Sequence, residues 1–217
     1  LLAVSGGIDS MVMLDFFNKN SNLADISVCY VNHHYHSHSK KMGKLVSNYC
    51  ADNSISYVES SINSSDIKNN IEAQFRKKRY FELKKVCKKI NADYVVTAHH
   101  ASDQIETILM KILNSSSFNS MRGIQSLNSN IFRPMLNITK DEILVYAKKN
   151  KVMHISDPTN EDTGLTRNFL RKKIVPLLEK IKPNLYKPFE DFQNKTSDVE
   201  DLLKLSLIHI SEPTRRR

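Results

Sequence analysis

The stretch that decides the fold is Leu1-Leu2-Ala3-Val4-Ser5-Gly6-Gly7-Ile8-Asp9-Ser10. Its four leading apolar residues predict a buried strand, and the residues from Ile8 onward predict a helix. Gly6 and Gly7 allow the backbone to turn sharply and to approach a ligand closely. The N–H groups of the turn, the positive end of the helix and the serine hydroxyls can all face one anion. The stretch therefore predicts a phosphate-binding loop between a strand and a helix.

Spacing excludes two common phosphate loops. No Gly-Lys-Ser/Thr follows the turn, and the G-x-G-x-x-G pattern is absent. The loop instead resembles the S-G-G-x-D-S loop of the ATP pyrophosphatases, which cleave ATP to AMP and pyrophosphate while they adenylate a substrate. This resemblance implies that ATP is bound by Ser5, Gly6, Gly7, Ile8, Asp9 and Ser10.

The chain is basic and carries no sign of a membrane segment. Its 217 residues include 32 Lys and Arg against 23 Asp and Glu, a net charge of +9. Such an excess favours nucleic acid over acidic proteins as a partner, although solvated lysine-rich helix faces give the same excess. No apolar run reaches the roughly 18 residues of a membrane span, and no secretory signal is present. We therefore expect a cytoplasmic protein, and the lack of an initiator Met predicts a fragment.

The three cysteines, Cys29, Cys50 and Cys87, are widely spaced among apolar residues. An odd number at such spacing is typical of core residues in a reducing compartment, not of a disulfide framework. Since C-x-x-C is absent, we expect no zinc or iron–sulfur site on these thiols. The histidines within residues 33–38 and the His99-His100 pair predict polar surface, because catalytic zinc takes ordered ligands from a rigid scaffold.

Strands and helices alternate along the chain. Ile26, Val28 and Tyr30 alternate as in a strand, and apolar residues from Met42 to Cys50 have helical spacing. Further elements are predicted in this order: a strand at 55–58, a basic helix through 83–90, a strand at 94–97 and a helix through 105–112. This alternation predicts an α/β fold with a doubly wound parallel sheet and helices on both faces, followed by a short helical extension.

Ligands of such sheets bind beyond the carboxyl ends of the strands. The polar segments of interest follow predicted strands at residues 5–10, 32–39 and 99–106. Asp103 and Glu106 are three residues apart on the first turn of a helix and therefore share one face. Magnesium prefers one or two carboxylates with phosphate oxygens and water, which makes Asp9 and Asp103 the candidate ligands. An acid in a first turn also suits the helix dipole without any ligand.

Later segments are less regular. Residues 114–130 are rich in Ser and Asn and predict a flexible surface loop. Thr139-Lys140-Asp141-Glu142 predicts a capping box that starts another helix. The pattern weakens beyond Lys182, and residues 206–217 match nothing upstream, as expected of a foreign or frame-shifted tail.

A narrower resemblance comes from five ordered segments. Residues 97–107, Thr-Ala-His-His-Ala-Ser-Asp-Gln-Ile-Glu-Thr, resemble the T-A-H-H-x-D-D-Q-x-E-T segment of the tRNA(Ile)-lysidine synthases. Val31-Asn32-His33 resembles the family's V-N-H motif, and residues 70–80 resemble its N-x-E-A-x-A-R-x-x-R-Y motif. Arg133-Pro134-Met135-Leu136 resembles its R-P-L-L motif. Asp157-Pro158-Thr159-Asn160 and Arg167-Asn168-Phe169-Leu170-Arg171 together resemble its D-x-S-N…R-N-x-x-R motif. Together the segments extend over residues 1–183.

The resemblance implies an enzyme that adenylates the wobble cytidine of an isoleucine tRNA and then lets free L-lysine displace AMP to give lysidine. It implies ATP as a substrate, Mg²⁺ as a cofactor, a tRNA with a CAU anticodon and L-lysine as partners, and no membrane; a homodimer is left open. It implies an adenine nucleotide alpha hydrolase-like, Rossmann-like catalytic domain at residues 1–183. Residues 184–217 are then the start of a helical linker with a tail that is not native to it.

The resemblance also implies roles for single residues. Asp9 and Asp103 would hold magnesium, Glu106 and Arg76 would lie near the lysine and the reacting cytidine, and all four are the predicted catalytic residues. His33 would line the nucleotide pocket. The basic residues that we expect to contact tRNA phosphates are Arg167, Arg171, Lys172 and Lys173.

Departures from the family pattern include Ser102, which replaces the first Asp of the D-D pair, and Phe75, which replaces an Ala. Loss of one acid leaves open a non-catalytic module that binds nucleotide or RNA. A second alternative keeps the fold and the ATP chemistry but changes the acceptor, as in tRNA thiolases or amidating synthetases. Thiolases generally use catalytic cysteines, often C-x-x-C, which this chain does not offer.

Overall fold

The computed structural model describes residues 1–32, 38–62, 71–156 and 166–211. The strands are β1 (Leu2–Ala3), β2 (Ser27–Asn32), β3 (Ser56–Ser61), β4 (Val95–Val96), β5 (Leu127–Asn128) and β6 (Ile131–Phe132). The α-helices are α1 (Ile8–Lys19), α2 (His38–Asp52), α3 (Ile71–Lys89), α4 (Ala101–Leu113), α5 (Lys140–Lys149), α6 (Thr166–Phe169), α7 (Val175–Ile181) and α8 (Tyr186–Ser211). A 3₁₀ turn spans Phe118–Arg122, and a π-helical turn spans Leu170–Ile174.

The chain divides into two compact units. The first contains Leu1–His100 and Ser126–Asn160, and the second contains Ala101–Gln125 and Glu161–Arg217. This division follows contacts in space, whereas the boundary at residue 183 was inferred from motifs and stays a prediction. No helix in the described part of the chain is long and apolar enough to cross a membrane.

A six-stranded sheet organises the first unit. Its strand order is β3-β2-β1-β4-β6-β5, and the neighbouring strands are parallel except for the antiparallel pair of β5 and β6. The predicted α/β class with a largely parallel sheet is confirmed. The antiparallel edge was not predicted, because two strands of two residues each are too short to show an alternating pattern.

Helices cover both faces of this sheet, as the sequence predicts. Successive residues of a strand point to opposite faces. Leu2, Val4 and Val28 therefore lie in one buried cluster, which includes residues of α1, α2 and α5. Leu1 and Cys29 lie in a second cluster, which includes residues of α3. β1 and β4, at the centre of the sheet, consist only of apolar residues, as expected of parallel strands that are covered on both faces.

The second unit is helical, and its core contains Ile105 of α4, Val175 of α7 and Leu185. The Gln104 amide donates to the Ile124 carbonyl (2.5 Å) and accepts from the Ile124 N–H (2.6 Å). Lys111 Nζ donates to the carbonyls of Ser120 and Gly123. The segment 114–130, predicted as a flexible surface loop, contains the 3₁₀ turn and β5, which were not predicted. Side chains of α4 bond to the backbone in and next to that turn.

Candidate functional site

The glycine turn after β1 has the geometry that the sequence predicts. Gly6 has φ +86°, and a Cβ there would lie 3.0 Å from Met42 Cβ, so both backbone conformation and space require glycine. Gly7 is extended, with φ −76° and ψ 160°, and forms the N-cap of α1. The Gly6 carbonyl accepts a hydrogen bond from the Ile155 N–H at 3.0 Å, which fastens the turn to a distant segment.

The two serine hydroxyls of the turn bond to the turn itself. Ser10 Oγ donates to the Gly7 carbonyl at 2.9 Å and accepts from the Ser5 N–H at 3.1 Å. Ser5 Oγ lies 3.2 Å from Ser10 Oγ and accepts from the Gly7 N–H at 3.4 Å. Ser10 is buried, whereas Ser5 is exposed. Ser10 therefore shapes the loop, and the more accessible hydroxyl for a ligand is that of Ser5.

Asp9, in the first turn of α1, lies beside two basic side chains. Its side chain is 32 % exposed, and Oδ1 accepts from Lys140 Nζ at 2.5 Å. Its other oxygen, Oδ2, lies 3.8 Å from Nε2 of the buried His100. Lys140 is the first residue of α5, whose start is fixed by the predicted capping box between Thr139 and Glu142. Lys140 was not among the residues predicted to lie near Asp9, although its place directly after the cap was the available signal.

In the second unit, Glu106 is held by two arginines. It is 0 % exposed, and its carboxylate accepts from Arg167 Nε at 2.9 Å. Arg171 donates to both oxygens, from Nε at 2.5 Å and from Nη2 at 3.1 Å. Arg171 Nη2 also lies 3.3 Å from Asp103 Oδ1, so Asp103 and Glu106 share a helix face as expected.

This arrangement bears on the roles predicted for these residues. A buried carboxylate needs paired charge or hydrogen bonds, and Arg167 and Arg171 provide both to Glu106. Arg171 lies in the π-helical turn, a feature that is frequent at functional sites. Lys172 is half-buried and Lys173 is exposed. Contact of these four basic residues with tRNA stays a prediction, and so does a catalytic role of Glu106.

Other predicted site residues lie elsewhere in the first unit or outside the described residues. The Arg76 guanidinium lies 5.3 Å from the centre of the Tyr80 ring on α3. A cation over an aromatic face is a favourable contact, and here it joins two residues that are one helical turn apart on α3. Its catalytic role stays a prediction. His33, Asn70 and the D-x-S-N-like segment 157–160 lie outside the described residues.

The described residues contain no group of three or more His, Cys, Asp or Glu side chains able to hold a metal ion. Magnesium needs only one or two carboxylates when phosphate oxygens and water complete its shell, and the partly exposed Asp9 carboxylate suits that chemistry. Asp9 belongs to the first unit and Asp103 to the second, so their joint role stays a prediction.

All three cysteines are buried and free. Burial raises the pKa of the Cys29 thiol to about 12 and the pKa of the Cys50 thiol to about 11. The thiolate is the reactive form of cysteine, so these raised values disfavour thiol nucleophiles at neutral pH. This agrees with the expectation that the cysteines are core residues.

Comparison with known proteins adds a family. The family model described as a PP-loop domain matches residues 1–178. The tRNA(Ile)-lysidine synthase of Lactiplantibacillus plantarum is 34% identical over 206 residues, which cover 92% of this chain and 46% of that protein. The bifunctional protein TilS/HprT of Listeria monocytogenes is 35% identical over 233 residues, which cover 99% of this chain and 36% of that protein. The chain thus spans less than half the length of these curated relatives. The resemblance to the tRNA(Ile)-lysidine synthases that was stated from the sequence is confirmed.

A solved structure supports the fold independently. The U34-tRNA thiolase NcsA from Methanococcus maripaludis, with its 4Fe–4S cluster, matches with a TM-score of 0.73. The match covers 89% of this chain and 70% of that chain, at 17% sequence identity. Identity at that level establishes a shared fold and says nothing about a shared acceptor or cluster.

Proposed function

This chain belongs to the PP-loop domain family, and from that membership we propose that it uses ATP to join L-lysine to the wobble cytidine of an isoleucine tRNA with a CAU anticodon. The products are lysidine in the tRNA, AMP and pyrophosphate. The reaction is that of a ligase acting in the cytoplasm. The single observation that carries the proposal is the Gly6 turn, which joins β1 to α1 with Asp9 beside it.

The turn supports ATP binding through its backbone. The first N–H groups of α1 lack partners within the helix, and the helix dipole adds positive potential at the same end. Gly7, the N-cap, makes no side-chain cap bond, and a Cβ at Gly7 would meet nothing nearer than Ser5 Oγ at 3.5 Å. The N-cap of α1 is therefore not crowded by neighbouring side chains, which favours approach of an anion.

The proposed chemistry has two displacements. The oxygen on carbon two of the cytidine ring bonds to the phosphorus nearest the ribose of ATP, and the bond from that phosphorus to pyrophosphate breaks. An amine of lysine then bonds to carbon two and loses a proton, while AMP leaves with the oxygen. We assign Mg²⁺ to Asp9 and Asp103, where the ion would supply neutralising charge for the triphosphate.

The basic residues of the second unit have a supporting role in this proposal. Arg167 and Arg171 hold the buried Glu106, and Arg171 reaches Asp103 at 3.3 Å. A guanidinium between two carboxylates fixes the orientation of both, because its donors form a rigid planar fork. We assign Glu106 and Arg76 to the region of the lysine and cytidine. We assign contacts with tRNA phosphates to the basic residues Arg167, Arg171, Lys172 and Lys173.

The test is transfer of radiolabelled L-lysine to the isoleucine tRNA in the presence of ATP and magnesium. We expect the 217-residue chain to transfer label and Asp103→Ala to abolish transfer. We expect Ser5→Ala to weaken ATP binding, whereas Ser21→Ala, which changes an exposed serine beyond α1, leaves it unchanged. Absence of transfer by the unmodified chain, together with absence of ATP–pyrophosphate exchange, would favour a non-catalytic module instead.

A further inference from the structure

The ion pair between Lys140 and Asp9 joins residues that are 131 positions apart in the chain. Asp9 lies in the first turn of α1, two residues after Gly7 of the glycine turn. We propose that Lys140 is a phosphate-binding residue of the nucleotide site. It holds the Asp9 carboxylate before ATP binds and then pairs with the pyrophosphate part of ATP. This inference rests on the proposed function, because it takes ATP to be the ligand of the turn.

The start of α5 explains why a side chain, and not the helix backbone, would make this contact. Thr139 Oγ1 accepts from the Glu142 N–H, and the Glu142 carboxylate accepts from the Thr139 N–H at 2.8 Å. The capping box thereby uses donors that an anion would otherwise bind. Lys140 follows the cap directly, so the fixed helix start positions the ammonium at Asp9.

A second lysine of the first unit shows what a purely structural pair looks like. Lys19 Nζ lies 2.8 Å from Asp15, one turn away on the same helix. Asp15 is 6 % exposed and also accepts from the hydroxyls of Tyr49 and Tyr146, at 3.1 and 3.0 Å. Lys19 Nζ also donates to Asn150 Oδ1 at 3.0 Å. The carboxylate and its lysine are therefore both held by several fixed contacts, as in a structural pair.

The pair at Asp9 differs in its carboxylate. The Asp9 side chain is 32 % exposed against 9 % for the side chain of Asp15, whereas both lysines are partly exposed. Exposed ion pairs contribute little to stability, so structural need alone gives no reason for Lys140 to stay on Asp9. A lysine ammonium is a compact charge on a flexible stem, which can turn from a carboxylate to a nearby phosphate without movement of the backbone.

Charge supports the pyrophosphate part of ATP as the partner. Most of the negative charge of ATP lies on its two outer phosphates, and the Gly6 turn with the start of α1 already supplies backbone donors to an anion. If Asp9 takes a magnesium ion, its carboxylate no longer needs Lys140. The released ammonium then neutralises the leaving group, which carries the developing charge when pyrophosphate departs.

The experiment is calorimetric titration of the chain with ATP, pyrophosphate and AMP, each with magnesium. We expect Lys140→Ala to weaken binding of ATP and of pyrophosphate by about tenfold or more, the usual effect of losing a charged hydrogen bond. AMP binding should change by less than about twofold. Lys140→Gln, which removes the charge but keeps an unbranched polar side chain, should behave in the same way, and thermal melting of both variants confirms that they fold.

Lys19→Ala is the matched control, since it removes an ion-paired lysine from the same unit and changes the net charge by the same amount. It should leave ATP affinity within about twofold of the unmodified chain, as expected of a distant charge. Unchanged ATP affinity in Lys140→Ala would overturn the assignment of Lys140 and leave the proposed function intact. Equal weakening of ATP and AMP would overturn the assignment to pyrophosphate. Failure of the unmodified chain to bind ATP would overturn the proposed function itself.

Discussion

Asp9 in the first unit and Glu106 in the second are both motif carboxylates, yet their surroundings are opposite. Asp9 is partly exposed and pairs with a lysine on a flexible stem. Glu106 is fully buried and is held by two arginines. Rigid, buried pairs fix geometry, whereas exposed pairs with a mobile cation leave room for exchange with a ligand. Two carboxylates that both belong to sequence motifs can therefore have different roles in the structure.

The largest expected effect tests that contrast in stability. Glu106→Gln should lower the free energy of unfolding by about 3 kcal/mol, because two guanidiniums lose the charge that compensates them. Asp9→Asn should change it by less than about 1 kcal/mol, since an exposed pair contributes little. Urea unfolding of both variants measures the difference. Similar losses in the two variants would break the comparison between a structural and an exchangeable carboxylate.

A smaller effect is expected where the shape of the cation matters. Arg171→Lys should cost about 1 to 2 kcal/mol, because an ammonium cannot donate to both oxygens of Glu106 and also reach Asp103. Lys173→Ala, an exposed change in the same π-helical turn, should be close to neutral. Thermal melting of the two variants under the same conditions gives the comparison. A neutral Arg171→Lys would show that charge alone, and not the planar fork, holds Glu106.

The smallest effect concerns the cap that carries Lys140. The pKa of Glu142 is lowered from its ordinary value of 4.5 by hydrogen bonds from the Thr139 N–H and hydroxyl. The stability that these bonds add is present above the ordinary pKa and is lost as pH falls through the lowered one. Thr139→Ala should therefore cost about 1 kcal/mol at neutral pH.

The same variant should raise the pKa of Glu142 toward its ordinary value, and its loss of stability relative to the unmodified chain should shrink at acid pH. NMR titration of the Glu142 carboxylate, with unfolding measured at several pH values, checks both. A loss that stays constant down to acid pH would mean that the cap does not act through this carboxylate. Lys140 would then need another anchor.

Local patterns were sufficient to predict much of the fold. The glycine turn, the alternation of strands and helices, and the capping box before α5 each depend on neighbouring residues, and the structure contains all three. The antiparallel β5 and β6 pair and the 3₁₀ turn were missed. The two strands have only two residues each, too few to show an alternating pattern, and the 3₁₀ turn contacts Lys111 of α4, a pairing that no periodicity reveals.

The residues of the candidate site were easier to predict than the ion pairs and hydrogen bonds between them. Helical spacing placed Asp103 and Glu106 on one face, and both contact Arg171. The partners themselves come from far along the chain: Arg171 is 65 residues from Glu106, and Lys140 is 131 residues from Asp9. Only folding brings such residues together, so the sequence marked Arg171 as basic without predicting which carboxylates it holds.

The hydrogen bond from Ile155 to the Gly6 carbonyl means that the conformation of the turn does not depend on its own residues alone. The turn also depends on the space that Met42 leaves beside Gly6. A strand, a turn and a helix grafted onto a foreign scaffold would lack both supports. Transfer of this loop to another protein would also require the segments that contain Met42 and Ile155.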